Sequence, residues 1–150
     1  MINYLGDLKK GKNLLTEIKN KHESMLMDIS VFNLEKGKSE VFFEENKETA
    51  LLLLNGKVEI LWDGQSAVLE RDNVFDESPT CLHVSKGVKI ELKVLEDSEA
   101  LIQKTENNNK FDSKLYLKED CTSEIFGDGV WNDTARRVVR TVFDYKNAPY

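Results

Sequence analysis

The strongest apolar patterning in the chain lies between Val41 and Leu69, VFFEENKETALLLLNGKVEILWDGQSAVL. Leu51 to Leu54 are continuously apolar, as in a strand covered on both faces. Val58, Ile60 and Trp62 alternate with Lys57, Glu59 and Leu61, the period of a half-buried strand. Asn55-Gly56 separates the two runs, and Asp63-Gly64 follows the second. Both central residues of a type I′ turn need positive φ, so Asn-Gly between apolar runs is a strong hairpin signal. The spacing predicts a hairpin at 55–56 and a second turn at 63–64. A helix is excluded because Gly56 and Gly64 would interrupt it.

The flanking segments repeat this pattern on a shorter scale. Tyr4-Leu5 and Leu14, Leu15 and Ile18 are apolar pieces among lysines, too short to separate helix from strand, and Lys19 to Ser24 reads as a loop. Met25, Met27, Ile29 and Val31 fall on one face of a predicted strand, with Asp28 and Ser30 on the other, and the strand runs on towards Phe32 and Leu34. Lys36-Gly37-Lys38 is a turn. Downstream, Arg71-Asp72-Asn73 reads as a polar turn, Val74-Phe75 as a return to the core, and Asp76 to Pro79 as a loop. Cys81 to Val84 is a short strand, Ser85-Lys86-Gly87 a turn, and Val88 to Leu95 alternates cleanly. Leu101-Ile102 is one more short strand, and Glu106 to Lys110 an exposed loop. After a Gly-rich turn, Val138, Arg140 and Val142 share one strand face, and Arg137, Val139, Thr141 and Phe143 the other. Short strands separated by frequent turns imply an all-β sandwich or barrel rather than βαβ units.

Composition narrows the partners. The 150 residues suit a single domain with a real core. A net charge of −6 and a pI near 5.1 argue against nucleic acid or an anionic membrane as the default partner. No apolar run approaches the length of a bilayer span, and the first residues lack a signal-peptide core, so a cytoplasmic location is expected. Cys81 and Cys121 lack CxxC spacing and read as free thiols.

Candidate chemistry is sparse. Laid on the cupin pattern of Gly, His-x-His, Glu and Gly, Gly37, Glu48 and Gly56 fall near the Gly and Glu positions, but Phe43 and Glu45 stand where the histidines belong. The chain holds only His22 and His83, so no transition-metal site is expected in it. His83 reads as a satisfied or half-exposed histidine on a strand. Glu44, Glu45 and Glu48 read as a solvated hairpin edge, and Asp72, Asp76 and Glu77 likewise. Arg136, Arg137 and Arg140 are candidates for a substrate carboxylate or a partner surface, since guanidinium forks take carboxylates bidentately. Ordinary salt bridging in a chain with 27 acidic residues explains them equally well.

GDGVWNDTARRVVRTVFDYKNAP, together with RDNVFDESPTCLHVSKG and ETALLLLNGKVEILWDGQ upstream, resembles the first half of the 5-deoxy-glucuronate isomerases of myo-inositol degradation. That family is related to the 5-keto-4-deoxyuronate isomerases. The resemblance runs from about Met25 to Tyr150 and is most specific at ARRVVRTVFD and NAP. It implies a cupin-type jelly-roll barrel, the N-terminal cupin of a bicupin, with residues 1–150 forming one domain that ends at the linker strand. It also implies that a divalent, zinc-like metal on a His/His/Glu/His set belongs to the second half, so this half is expected to hold no cofactor and to be inactive alone. The intact enzyme's reaction would be aldose–ketose isomerisation of a sugar acid, with the metal polarising the carbonyl and a base moving a proton between neighbouring carbons. A metal-free binding or assembly module is the alternative. A half with an exposed partner face is expected to form a homodimer.

Overall fold

The computed structural model describes residues 7–148; Tyr4-Leu5 and Pro149 lie outside them. Among the described residues eleven strands run in chain order: β1 (Gly11–Thr16), β2 (Asp28–Leu34), β3 (Ser39–Phe42), β4 (Lys47–Trp62), β5 (Gln65–Arg71), β6 (Cys81–Val84), β7 (Ile90–Val94), β8 (Ser98–Glu106), β9 (Lys114–Tyr116), β10 (Thr122–Phe126) and β11 (Arg137–Thr141). Single 3-10 turns occur at Glu23–Met25 and Lys118–Asp120. No helix among the described residues is long and apolar enough to cross a membrane.

Strand β4 is the spine, and its 16 residues belong to two sheet layers. Its first half lies between β8 and β6 in the order β1-β2-β8-β4-β6-β9. Its second half lies between β5 and β7, with β3 beyond β7. All these pairings are antiparallel. The core fills the space between the layers. Phe32, Leu34, Leu51, Leu53, Leu82, Val84, Ala100 and Ile102 come from one layer, and Phe42, Val58, Ile60, Trp62, Leu69, Ile90, Leu92 and Val94 from the other.

The predicted hairpin at Asn55-Gly56 is not formed. Gly56 has φ +91, but Asn55 is absent from the positive-φ residues, so a type I′ turn cannot close. The residues instead make a bulge: β4 slips register against β8 between Leu53 and Asn55 and passes into the second layer. The buried positions record the slip, since Thr49, Leu51 and Leu53 point inward before it and Val58, Ile60 and Trp62 after it. The reversal occurs at the second predicted turn. Asp63 (φ 47) and Gly64 (φ 73) join β4 to β5 with Trp62 opposite Gln65.

The structure also decides which face of β2 is inner, and it corrects one core assignment. In β2 the inward residues are Ser30, Phe32 and Leu34, and the face of Ile29 and Val31 is the outer one. Pairing with β8 sets Ser30 opposite Ile102 and Phe32 opposite Ala100, on the inner face. Val31 is buried outside the central cluster, and Met25 is exposed. Val74 and Phe75 do not return to the core; Phe75 is 81% exposed. The cause is Arg71, which is no turn residue but a buried clamp at the end of β5. Its guanidinium donates to the carbonyls of Leu53 (2.9 Å) and Glu77 (2.9 Å), while the Asn73 side chain accepts from the N–H groups of Phe75 and Asp76. The loop polar groups are thus satisfied inward, and its apolar side chains face out.

The last two strands stand apart. β10 and β11 form their own antiparallel pair, Thr122 opposite Thr141 through Phe126 opposite Arg137, and every residue of β10 is exposed.

Candidate functional site

Three places gather the side chains that the sequence singled out. The first is one open end of the jelly roll, its mouth, where inner faces of β1, β2, β4 and β8 enclose a cavity of about 210 Å³. Lys47 on β4 pairs with Asp28 on β2, whose other oxygen accepts the Ile18 N–H at 2.7 Å. Lys104 on β8 pairs with Glu44 at 2.5 Å. All four charged side chains are less than one third exposed. Burial alone would raise the Asp28 pKa, but the Lys47 hydrogen bond, the Ile18 N–H and the nearby ammonium charges outweigh it and lower the value. Burial likewise opposes, and Asp28 overrides, the charged form of Lys47, whose pKa is raised. The Lys47–Asp28 pair therefore stays ionised. Ser30, Phe32 and Ile102 also line the cavity.

This mouth does not suit a divalent metal. Phe43 and Glu45 sit in the exposed segment between β3 and β4, Gly37 is in a turn, and Gly56 is at the bulge. Glu48 lies on the opposite face of β4 from Thr49, Leu51 and Leu53. The carboxylates that do face inward are held by ammonium groups, which repel a cation. Among the described residues no group of three or more His, Cys, Asp and Glu could hold a metal ion.

The second place is the outer face of the same sheet. His83 on β6 is 1% exposed, with Nε2 3.6 Å from Glu48 Oε1. Its ring stacks on Phe143 (centroids 4.7 Å apart, 4° between planes) and meets Phe111 at 4.7 Å. Phe143 also stacks on Tyr116. Burial lowers the His83 pKa, against the charge and hydrogen bonding of Glu48. Glu48 is not a solvated edge residue as expected: its other oxygen accepts from Asn107 Nδ2 at 2.5 Å, and its side chain is 12% exposed. Glu45 is exposed. His83 and Glu48 lie far apart in the sequence. Their proximity follows from Ala50 lying opposite His83, which no local pattern reveals.

The third place is the C-terminal hairpin, where the three arginines do not converge. Arg136 pairs with Asp128 at 3.0 Å, Arg137 lies 6.0 Å from the Phe126 ring centroid, and Arg140 donates to the Phe75 carbonyl at 2.7 Å. Glu77, near the base of this arm, has its pKa lowered by the Lys118 hydrogen bond and the Asp72 N–H. Asp72 and Asp76 are exposed. Cys81 and Cys121 are both free thiols, and burial pushes the Cys81 pKa up to about 12, so it supplies no thiolate. His22 is exposed in the loop before the first 3-10 turn.

Two antiparallel layers sharing one long strand around an apolar core, with a polar mouth, define a cupin-type jelly roll. Residues 3–150 match the model of the KduI/IolB family, and the chain belongs to that family, which includes 5-deoxy-glucuronate isomerase. Among solved structures, an IolB-like protein from Salmonella typhimurium LT2 superposes with a TM-score of 0.73 at 12% identity, covering 91% of this chain and 51% of that one. The chain therefore spans about half the length of that protein. Ylba from E. coli gives a TM-score of 0.59 at 13% identity, over 75% of this chain and 46% of that one. A cupin protein from Bacteroides fragilis gives 0.51 at 18%, over 71% and 86%. At these identities the likeness is one of fold. No curated protein matches the chain.

Proposed function

We propose that the chain is the N-terminal, metal-free cupin of a 5-deoxy-glucuronate isomerase acting in myo-inositol degradation, and that it does not turn over substrate alone. Residues 1–150 form one cupin-like domain in this reading. The catalytic divalent metal and its His/His/Glu/His set belong to a second cupin, and the protein works in the cytoplasm without nucleic acid or membrane. The observation that carries the reading is the barrel mouth, where two lysine–carboxylate pairs occupy the inner positions and His83 faces the opposite side of the sheet. Family membership over residues 3–150 and the 51% coverage of the IolB-like protein support it.

The test compares this chain with a version extended by a second cupin, measuring bound metal and uronate isomerisation. Absence of both in the short chain and their appearance in the extended one is the expected result. Metal and turnover in the short chain would overturn the reading. Within the extended enzyme, Arg136, Arg137 and Arg140, which do not converge, are proposed as separate candidates to meet the substrate carboxylate from the hairpin. Unchanged KM in all three Arg→Ala variants would remove that role.

A second reading, a binding or assembly module, is favoured by one observation. The C-terminal arm exposes Ile125 (54%) and Val138 on one face of its hairpin and Phe126 and Val139 on the other, with Val130 and Trp131 (78%) between the two strands. Burial of this surface between two copies would give a homodimer, which is compatible with either reading.

A further inference from the structure

We propose that the barrel mouth is itself a binding site for a small polyhydroxylated molecule of monosaccharide size, separate from the site of isomerisation. Its lining is unusual for a place of purely structural purpose. Lys47, Asp28, Lys104 and Glu44 are partly withdrawn from water at the open end of the apolar core. Partly buried ion pairs of this kind commonly stabilise a fold less than apolar side chains of the same volume would. They instead hold a fixed array of donors and acceptors around a cavity of about 210 Å³.

The array selects its ligand by elimination. Each ammonium has three N–H donors and each carboxylate about four acceptor directions, so pairing leaves both kinds unspent. An apolar ligand would strand these groups without water. A divalent cation meets the ammonium groups, and a multiply charged anion meets Asp28 and Glu44. Lys12 and Glu17 at the rim add one charge of each sign, so the lining stays balanced. A chain or ring of hydroxyl groups matches such alternation, because each hydroxyl both donates and accepts. Phe32 and Ile102 give its C–H face an apolar surface. The shared chemistry is the polyol, whether it comes from a neutral sugar or from a sugar acid.

Calorimetric titration of this chain with D-glucose, D-glucuronate and succinate tests the assignment, with amide chemical shifts used to locate binding. One or both sugars should bind and shift the amides of β2 and β8, while succinate does not bind. Glucuronate binding tighter than glucose, with the excess lost in Lys12→Ala, identifies a sugar acid; equal binding identifies the neutral polyol. Lys104→Met should weaken binding at least tenfold. Ser30→Val, which fills the cavity and leaves both ion pairs intact, should do the same if Lys104→Met fails to fold. Lys93→Met, at an exposed pair on the other layer, should leave binding unchanged. No binding of either sugar, equal binding of succinate, or shifts confined to β10 and β11 would overturn the proposal. None of these results alters whether an extended chain carries metal and isomerises a uronate.

Discussion

His83 shows how a residue's chemistry is set by the face on which it stands. On the inner side of the sheet it would be a metal-ligand candidate. On the outer side it is packed between Phe111 and Phe143 beside Glu48, and it ties the tail to β6. Burial holds its pKa below the usual 6.5. The unfolded chain therefore binds a proton at His83 that the folded chain refuses. Its contribution to stability is complete above about pH 6.5 and is lost as pH falls below that value. Urea unfolding at about pH 7.5 and about pH 5.5 should show the wild type losing more stability than His83→Gln over this interval. Equal losses in the two proteins would mean that the buried imidazole is not the titrating group.

At the scale of the element, the bulge of β4 matters most. A Cβ on Gly56 would lie 2.3 Å from Ser98 Oγ and 2.4 Å from the Asp97 carbonyl, and its φ is already unfavourable for an L side chain. Around Gly64, in the β4–β5 turn, nothing lies within 4 Å. Gly64→Ala should cost about 1 kcal/mol of backbone strain. Gly56→Ala adds overpacking against fixed backbone, for about 3 kcal/mol in all. If denaturation midpoints showed Gly56→Ala to be the milder change, the close approach of β4 to the β7–β8 turn would not be a constraint. Both dipeptides carry the same hairpin signal in sequence. At Asp63-Gly64 the two positive φ values make the turn; at Asn55-Gly56 pairing with β8 on one side and β5 on the other keeps the strand running. Local turn chemistry was legible, but which strand would claim those backbone groups was not.

The whole molecule combines a packed sandwich with an arm that it does not cover. The arm's apolar side chains are the surface through which a dimer is proposed to form. Light scattering over a wide concentration range should show a dimer, and the double variant Ile125→Ser, Trp131→Ser should shift it to monomer. A wild-type chain that remained monomeric throughout would exclude this surface as a self-association site. The apolar alternation along Val58 to Trp62 and Ile90 to Val94, the turn at Asp63-Gly64 and the scarcity of histidine were all determined by the sequence alone. From them follow an all-β chain and the expectation that no histidine-based metal site lies in it. Only the tertiary structure decided that Ser30 and Phe32, not Val31, face the barrel centre, that Lys47 meets Asp28, and that His83 meets Glu48. The reason is physical: side-chain alternation in a strand tells two faces apart but does not say which is inside. That choice rests on register between β2, β8, β4 and β6, whose partners lie far apart in the chain.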